Sequence, residues 1–530
     1  MLRYRRMLID LDEHKSCTFR APVCIIGGGI AGLTLASTLA ERGIESVLLE
    51  AGGSQSEVRS QQLYTVESCG IRHSGAQEGR FRTFGGSSTR WGGQLLPYTE
   101  DVLNPPPECG LPSWPITLND LEPHYARIYS IFEVEGAEHS ARLLEEFGMT
   151  SPVDLSSDMR LRFSAWAPFH RRNLAKTLGK NLTHSRHTTI CLHANAREIL
   201  LTSNGAATEA VLACNYSGEQ FRFEAKFYVV ASGSIESVRL LLASRRHQPN
   251  GVGNSHDQLG RYFHDHIGVN AGIVPVTGLP AIVKAFAPYL RNSTLHTPKI
   301  EATSNWRAHH GALSIMAHFP IEEPDDSGVA AVRSILRSLQ HGKLNWAALT
   351  QLPQNFGEIA HLAWSAKVDR RRAISKRAHV RLNLDCEQWP DSENRITLSE
   401  HKDALSMPIA RLHWRPGERE RCTLAAYSDT VNALFRHMNI DLPHWRPELK
   451  VPGEAWLKYA SDTFHMMGGS RMGINPTNSV VDRNLRVHGI DNLWIASCSV
   501  FPTGGSSNPT FTMMALTLRL ADVLTQRLQS

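Results

Sequence analysis

The chain has 530 residues, of which 42% are hydrophobic and 20% are charged, and its formal net charge at pH 7 is +5. This length exceeds what one simple hydrophobic core needs, so we expect two domains or one large layered body. The composition is typical of a soluble globular protein. The small net charge disfavours a nucleic-acid-binding protein, and the basic cluster Arg370-Arg371-Arg372 is interpreted as a solvated face.

Targeting and redox signals point to the cytoplasm. The segment before Asp10 is basic but has no apolar core, and no run of about 18 apolar residues occurs, so neither a secretory signal nor a transmembrane segment is predicted. The nine cysteines include no CxxC pair, which favours free thiols in a reducing compartment.

A glycine-rich turn lies near the start of the chain. Residues 23–53 are VCIIGGGIAGLTLASTLAERGIESVLLEAGG. The apolar run at 23–26 predicts a buried parallel strand, and Gly27, Gly29 and Gly32 follow it in a GxGxxG pattern. These glycines permit a tight turn, the approach of a pyrophosphate and close packing of a helix on the strand.

The next elements complete a dinucleotide-binding unit. A helix is predicted from 30 to 42, with Gly43 as its C-cap, and a second strand is predicted at 46–49. Glu50 ends that strand, where a carboxylate can accept hydrogen bonds from ribose hydroxyls, and Ala51 follows it. This unit predicts dinucleotide binding but does not separate NAD from FAD.

A second glycine-rich stretch favours the larger cofactor. Residues 80–98 are RFRTFGGSSTRWGGQLLPY, and the aromatic residues Phe84, Trp91 and Tyr98 indicate burial. Such a loop can place backbone N–H groups along phosphates or a ring system. A simple NAD dehydrogenase has no obvious use for it, whereas a tricyclic cofactor does. The candidate cofactor contacts here are Gly86, Ser87, Trp91 and Gly92.

Five blocks together resemble the glucose–methanol–choline (GMC) family of flavoproteins. They are the fingerprint ending LLEAGG, FGGSSTRWGG, FYVVASGSIESVRLLLAS at 227–244, LGRYFHDHIG at 259–268, and the C-terminal block from SDTFHMMGG to SSNPTFTMMAL. Within the family the chain looks closest to pyranose oxidases and bacterial sugar dehydrogenases. CEQWPDSENRITLSEHKDALSMP at 386–408 and the Asn508-Pro509-Thr510 signature suggest that branch.

The resemblance implies an α/β fold. It consists of a Rossmann-like FAD-binding domain and an α+β substrate domain built on a mostly antiparallel sheet. We expect the FAD-binding domain at 15–105, 185–270 and 455–530, and the substrate-binding domain at 106–184 and 271–454.

The middle of the chain gives weaker signals. Alternating residues at 380–415 predict an antiparallel sheet over the flavin, and 321–378 is interpreted as helix or loop.

Alcohol oxidation requires a base and a group that positions the hydroxyl. An alcohol must lose its hydroxyl proton as a hydride leaves its carbon, and imidazole is the usual base near neutral pH. An amide can hold the hydroxyl without adding charge. The resemblance places the family's catalytic pair at His465 and Asn508.

Other polar residues in the same blocks are interpreted differently. His488 and Asn475 are interpreted as structural. His264-Asp265-His266 offers two imidazoles but lacks a third ligand, so no metal is expected.

The C-terminal block also predicts cofactor contacts. Pro509 suits the first position of a helix over 511–524, whose positive end would stabilise reduced flavin, and Thr510 and Ser497 are expected beside it. Arg90 stands where pyranose oxidases carry a flavin-tethering histidine. We therefore expect non-covalent FAD.

The predicted function is FAD-dependent oxidation of an alcohol to a carbonyl by hydride transfer to flavin N5. The expected substrate is a sugar, glycoside, aminosugar or polyol. A steroid or other natural-product alcohol, and a non-redox flavin lyase, are the alternatives. The electron acceptor is left open between dioxygen and a quinone or other carrier, and a homo-oligomer is possible.

Overall fold

Three β-sheets and a set of surrounding helices make up the computed structural model. It describes residues 8–135, 137–147, 151, 157–292, 294–340, 346–350, 352–372, 374–375 and 377–530. None of the helices within these ranges combines the length and apolar character needed to cross a membrane. The α-helices are Ile30–Glu41, Val58–Gln62, Gly75–Glu78, Glu100–Leu103, Tyr125–Phe132, Arg142–Glu146, Phe169–Arg172, Lys180–Leu182, Ser234–Ala243, Leu279–Phe286, Ser304–His310, Gly328–Gln340, Trp346–Thr350, Phe356–Trp364, Glu418–His437 and Thr510–Gln529.

Sheet I is mostly parallel and contains the predicted glycine-turn unit. Six of its eight strands are joined in five parallel pairs, and the other two form a short antiparallel extension. Residues of the central strands are buried on both faces, which explains their continuous apolar runs. In spatial order the strands are Leu8–Asp10, Thr188–Leu192, Ser46–Leu49, Thr18–Ile26, Gln220–Val230, Thr208–Cys214 and Asn195–Leu201, and Leu493–Ile495 pairs with Gln220–Val230.

The first predicted elements are confirmed with small changes. The strand predicted at 23–26 extends back to Thr18 because its first half pairs with residues 222–225. Helix α1 (Ile30–Glu41) begins as predicted and ends one residue early, and the strand Ser46–Leu49 has the predicted bounds.

Sheet II has ten strands, and its pairs are antiparallel. In spatial order its main strands are His444–Trp445, His266–Ile273, His379–Glu387, Ile315–His318, Thr294–Ala302, Met159–Trp166 and Gln94–Leu95. Tyr289–Arg291, Ile321–Glu322 and Ala460–Asp462 pair at its margins.

The two faces of sheet II differ in chemistry. On strand His379–Glu387 the alternate residues Val380, Leu382, Leu384 and Cys386 are buried on one face. A long helix, α2 (Glu418–His437), packs on that face. Strand register places polar residues together on the other side, which we call the polar face: His266, Asn270, Thr297, Lys299, Glu301, His318, Asn383, Asp385 and Glu387.

The single antiparallel sheet expected over 380–415 is wrong in part. Strand His379–Glu387 joins sheet II, whereas Arg395–Lys402 and Pro408–Trp414 pair with each other in sheet III. Val66–Gly70 completes sheet III in parallel with Pro408–Trp414. The chain leaves sheet II at this point because the two later strands pack on helix Ser234–Ala243 instead.

The division into two discontinuous domains stays a proposal. Apart from Leu8–Asp10, sheet I draws on segments assigned to the FAD-binding domain, but Gln94–Leu95 and Ala460–Asp462 from the same assigned segments pair with sheet II. Within 321–378 the described residues form helices Gly328–Gln340, Trp346–Thr350 and Phe356–Trp364, and residues 341–345, 351, 373 and 376 lie outside the described part of the chain.

Candidate active site

A cavity of about 680 Å³ is lined by both the glycine turn of sheet I and the C-terminal block. This volume lies in the range of roughly 300–1,000 Å³ that is typical of ligand sites. Residues from widely separated segments meet on its wall: 26–31, 78–94, 231–234, 463–466 and 508–510.

The structure brings together the predicted cofactor contacts, with one exception. The residues on the cavity wall are Gly27, Gly29, Glu50, Ala51, Gly86, Ser87, Trp91, Gly92, Ser497, Pro509 and Thr510. Gly32 is not among the lining residues. A Cβ atom at Gly32 would lie 1.8 Å from the carbonyl oxygen of Gly27, so this glycine serves helix–strand packing instead.

Glu50 is fixed at the cavity wall by two backbone hydrogen bonds. Its Oε2 accepts from the N–H of Gly28 at 2.9 Å, and its Oε1 accepts from the N–H of Gly52 at 2.8 Å. Burial raises the pKa of Glu50, although the hydrogen bonds from Gly52 and Gly28 oppose this shift. A carboxylate oxygen has more than one acceptor position, so Glu50 can also accept from a ligand hydroxyl.

Two helices begin at the cavity. Gly29 is the N-cap of α1, and Pro509 is the N-cap of the C-terminal helix α3 (Thr510–Gln529). Pro509 thus lies one residue before the helical position predicted for it. Both helix starts carry unpaired N–H groups and partial positive charge, which favour an anionic ligand.

His465 and Asn508 form a pair on the cavity wall. Asn508 Nδ2 lies 2.9 Å from His465 Nε2, and both residues line the cavity. Asn508 Oδ1 is buried and has no hydrogen-bond partner in the described part of the chain. A ligand hydroxyl can therefore meet one imidazole nitrogen and one amide at the same place.

A second histidine sets the tautomer of His465. His266 Nε2 lies 3.0 Å from the carbonyl oxygen of Gly504, which can only accept a hydrogen bond. In a neutral His266 ring, Nδ1 is therefore the acceptor. It lies 3.0 Å from His465 Nδ1, so His465 donates from Nδ1 and keeps its lone pair on Nε2, beside Asn508.

Thr463 and Asp265 support the same tautomer. Thr463 Oγ1 donates to Asp265 Oδ1 at 3.1 Å and lies 2.8 Å from His465 Nδ1, so it can accept the Nδ1 proton. Asp265 Oδ1 also accepts from the backbone N–H groups of His465 and His266, at 3.0 and 2.6 Å. Asp265 thereby holds both histidine backbones in place.

A buried cluster of one histidine and two carboxylates lies around Asp265. Ligand atoms of His73, Asp265 and Asp462 lie within 4.8 Å of one another. Asp462 already accepts from the N–H groups of Ser74 and Gly75, at 2.8 and 2.7 Å. His73 Nε2 lies 3.1 Å from Asp265 Oδ2, within ion-pair distance.

The acid limit of activity follows from the environment of His465. Burial, and then the neighbouring His266, lower the pKa of His465 from 6.5 to about 4. The ring therefore keeps its Nε2 lone pair down to roughly pH 4 to 5. The unfolded chain binds this proton at a higher pH, near 6.5, so lowering the pH from 6.5 toward 4 also destabilises the fold.

We expect the anaerobic rate of flavin reduction to be flat from pH 8 to about 5.5 and to fall below that, which stopped-flow measurements across this range would check. An acid limb centred near 6.5 would show that His465 is solvated or is not the base.

The cavity fits FAD. Cβ atoms added at Gly29 and Gly233 would meet no protein atom within 4 Å, so both glycines border open space that a flat or phosphorylated ligand can fill. The helix starts suit a pyrophosphate, and Glu50 suits a ribose. When bound, FAD would accept a hydride, which carries the two electrons of the oxidation. On the same cavity wall, Asn508 could orient a substrate hydroxyl and His465 Nε2 could receive its proton.

Several residues at the site were not predicted from the sequence. Arg80 and Glu236 line the cavity and are joined by a 2.9 Å contact between Nη1 and Oε1. His266, Thr463 and Asp265 each contact His465. The loop residues His488 and Asn475, interpreted as structural, are absent from the cavity wall, and His488 Nε2 lies 2.9 Å from Ser479 Oγ.

Comparisons with known proteins point to a flavoprotein. The family described as "GMC oxidoreductase" matches residues 390–517, and an "FAD binding domain" family matches residues 20–257. The chain is 26% identical to 2-methyl-1,2-propanediol dehydrogenase from Mycolicibacterium austroafricanum, over 84% of this chain and 80% of that protein. It is 23% identical to 6'''-hydroxyparomomycin C oxidase from Streptomyces lividus, over 96% and 91% respectively.

Solved structures show the same fold. A formate oxidase variant from Aspergillus oryzae RIB40 aligns with a TM-score of 0.58 and 16% identity, covering 97% of this chain and 99% of that chain. The two family matches and these relatives, together with the shared fold, support the assignment of the chain to the GMC family as an FAD-dependent alcohol oxidoreductase.

Proposed function

We propose that this enzyme oxidises a hydroxyl group of a polyhydroxylated molecule, such as a sugar, glycoside or polyol, with His465 as the general base. The alcohol proton goes to His465 Nε2, the hydride leaves the carbon for flavin N5, and the C–O bond becomes a carbonyl. Asn508 holds the hydroxyl oxygen. The 2.9 Å contact between His465 Nε2 and Asn508 Nδ2 on the cavity wall supports this pairing.

The polar face of sheet II favours a polyhydroxylated substrate over a steroid. A steroid needs an apolar pocket, because burying its rings against polar groups leaves those groups without hydrogen bonds. Sheet II instead turns its polar side towards the catalytic loops: Glu387 Oε1 accepts from the N–H of Gly505 at 2.8 Å, and Glu301 Oε1 accepts from Ser506 Oγ at 2.9 Å. This is the observation that carries the substrate class.

Anaerobic bleaching of the flavin absorption band tests the proposal. The FAD-loaded enzyme is mixed with sugars, glycosides, aminosugars, polyols, sterols and simple monohydroxy alcohols. We expect at least one sugar or polyol to bleach the flavin. Bleaching by sterols alone would overturn the substrate class. Failure of every alcohol, with FAD bound, would favour a non-redox lyase.

The electron acceptor is decided by the same preparation. One of the two relatives compared above is named a dehydrogenase and the other an oxidase. The electron acceptor is therefore proposed to be either dioxygen or a quinone or other carrier. Admitting air to the reduced enzyme separates them, because an oxidase regains its yellow colour within seconds.

We also propose that FAD is held without a covalent bond. Arg90 offers no nucleophile to the flavin, and the cavity supplies helix starts and Glu50 as non-covalent contacts. Acid precipitation should release the yellow colour into the supernatant, and colour in the pellet would contradict this.

A reducing compartment such as the cytoplasm is proposed for the protein, since all nine cysteines are free thiols.

A further inference from the structure

The polar face of sheet II holds a charged cluster that the catalytic pair does not use. Asp385 Oδ2 lies 3.2 Å from His318 Nδ1 and 3.9 Å from Lys299 Nζ. These residues come from three adjacent strands, so their positions are fixed by the sheet. Burial acts to raise the pKa of Asp385, but His318 and then Lys299 together outweigh it and hold the pKa well below its usual range, so the carboxylate is ionised.

This cluster is open although it lies in the middle of a sheet. Asp385 and His318 keep 20% and 26% of their side-chain surface exposed. Residues at the centre of a ten-stranded sheet are exposed only where nothing packs over them. The outer surface of these two side chains is therefore accessible, whereas Lys299 keeps only 8% of its side-chain surface exposed.

Two amides beside the cluster have unused acceptors. Asn270 and Asn383 lie directly opposite each other in the register of their strands. The side-chain oxygens of both are buried, and neither has a hydrogen-bond partner in the ranges the structure describes. Buried amide oxygens are nearly always paired in folded proteins, so these two indicate a ligand or water that supplies donors.

The cluster is close to the catalytic histidine. A Cβ atom at Gly268 would lie 2.9 Å from Thr463 Cγ2 and 3.6 Å from Asp385 Oδ1, so Thr463 and Asp385 approach each other across this glycine. Thr463 lines the cavity and contacts His465. At the other end of the same face, Trp166 lines the cavity and donates to Thr297 Oγ1 at 2.9 Å. The polar face thus reaches the cavity at two places.

The charges on this face are balanced within the protein. Lys299 offsets Asp385, and Arg160 and Arg162 contact Glu301 at 2.6 and 3.0 Å. No carboxylate of this cluster is left as an unpaired counter-ion for a substrate ammonium group. An uncharged substrate fits the balance better than a polycationic one, because a cation here would compete with Lys299.

We propose that Asp385, Lys299 and His318 form a subsite that hydrogen-bonds neighbouring hydroxyl groups of an uncharged polyhydroxylated substrate, while another hydroxyl of the same molecule lies at His465. The subsite rests on the proposed function. Asp385 accepts from hydroxyl groups, Lys299 donates to a hydroxyl oxygen, and the amides Asn270 and Asn383 extend the contact surface. These residues select the substrate and take no part in the transfer of the proton or hydride.

Asp385→Asn tests the subsite in the FAD-loaded enzyme. Anaerobic reduction is followed with the best uncharged sugar or polyol, its amino counterpart and a short monohydroxy alcohol. Loss of a hydrogen bond to a charged group should raise the Kd for the sugar about 10- to 100-fold. The Kd and limiting rate for the monohydroxy alcohol, which does not reach the subsite, should stay unchanged. Calorimetric binding of a non-oxidisable deoxyfluoro analogue should weaken by the same factor.

The controls separate this idea from the function itself. Asp429→Asn removes a carboxylate that is 68% exposed on α2, on the other side of sheet II, and should change nothing. Lys299→Met provides a second variant if Asp385→Asn does not fold, as judged by FAD content and Tm. If no alcohol reduces the flavin of the wild-type enzyme, the proposed function is contradicted. Three results would overturn the subsite alone, provided that the wild type is reduced normally. The first is an equal loss of affinity for the sugar and the monohydroxy alcohol in Asp385→Asn, and the second is no loss for either. The third is tighter binding of the amino counterpart than of the uncharged sugar by the wild type.

Discussion

Replacing His465 with alanine should slow flavin reduction by an alcohol about 10²- to 10⁴-fold while FAD stays bound. General-base catalysis has this magnitude, and the tautomer set by His266 leaves His465 Nε2 as the proton acceptor next to Asn508. FAD retention is expected because the glycine turn and Glu50 lie on other segments of the cavity wall. Rapid mixing under anaerobic conditions measures the rate, and the flavin-to-protein absorbance ratio measures occupancy.

His488→Ala is the matched control for this variant. His488 belongs to the same C-terminal block, but it contacts Ser479 and is absent from the cavity wall. It should keep the wild-type reduction rate. Rapid reduction of His465→Ala, or an equal loss in His488→Ala, would contradict the assignment of the base.

Local patterns in the sequence predict the glycine-turn unit well because each signal acts over a few residues. The strand, the GxGxxG turn, helix α1 and the strand Ser46–Leu49 all follow from spacing and apolar runs, and their bounds differ from expectation mainly where a partner strand extends the pairing. The pairing of His465 with Asn508 is predicted from the family resemblance, and the structure adds the 2.9 Å distance between His465 Nε2 and Asn508 Nδ2.

The partners of His465 could not be predicted in the same way. His266 contacts it from 199 residues away in the chain, through pairing that depends on sheet II. The motif HDH gives no hint that Asp265 accepts backbone hydrogen bonds or that His266 fixes a tautomer. Likewise, Asp385 and Lys299 come together only through strand register, and the sequence around them does not distinguish a substrate wall from an ordinary exposed strand.

The division of 380–415 between two sheets shows another limit. Alternation of apolar and polar residues predicts strands, but it does not specify which partner each strand takes. His379–Glu387 buries its apolar side under α2, whereas Arg395–Lys402 buries its own against helix Ser234–Ala243. Only the packing partners, far away in the sequence, decide between these alternatives.

Two glycines of the dinucleotide turn should respond to alanine in different ways. At Gly32 the new Cβ would lie 1.8 Å from the Gly27 carbonyl oxygen, a backbone atom that cannot move without separating α1 from its strand. Gly32→Ala should therefore lower the free energy of unfolding by about 3 kcal/mol or more. At Gly29 the new Cβ meets no protein atom within 4 Å, so Gly29→Ala should leave the apoprotein as stable as the wild type.

Gly29→Ala should nevertheless weaken FAD binding at least about tenfold, because its methyl group enters the space where a pyrophosphate approaches the start of α1. Thermal unfolding of the apoprotein and a flavin-fluorescence titration measure the two effects separately. Gly357→Ala serves as the matched control, since its Cβ also meets no protein atom within 4 Å and it lies on a distant exposed helix. Normal FAD affinity in Gly29→Ala would show that the cofactor phosphates do not lie at this turn. FAD would then have to bind in the cavity in a different orientation.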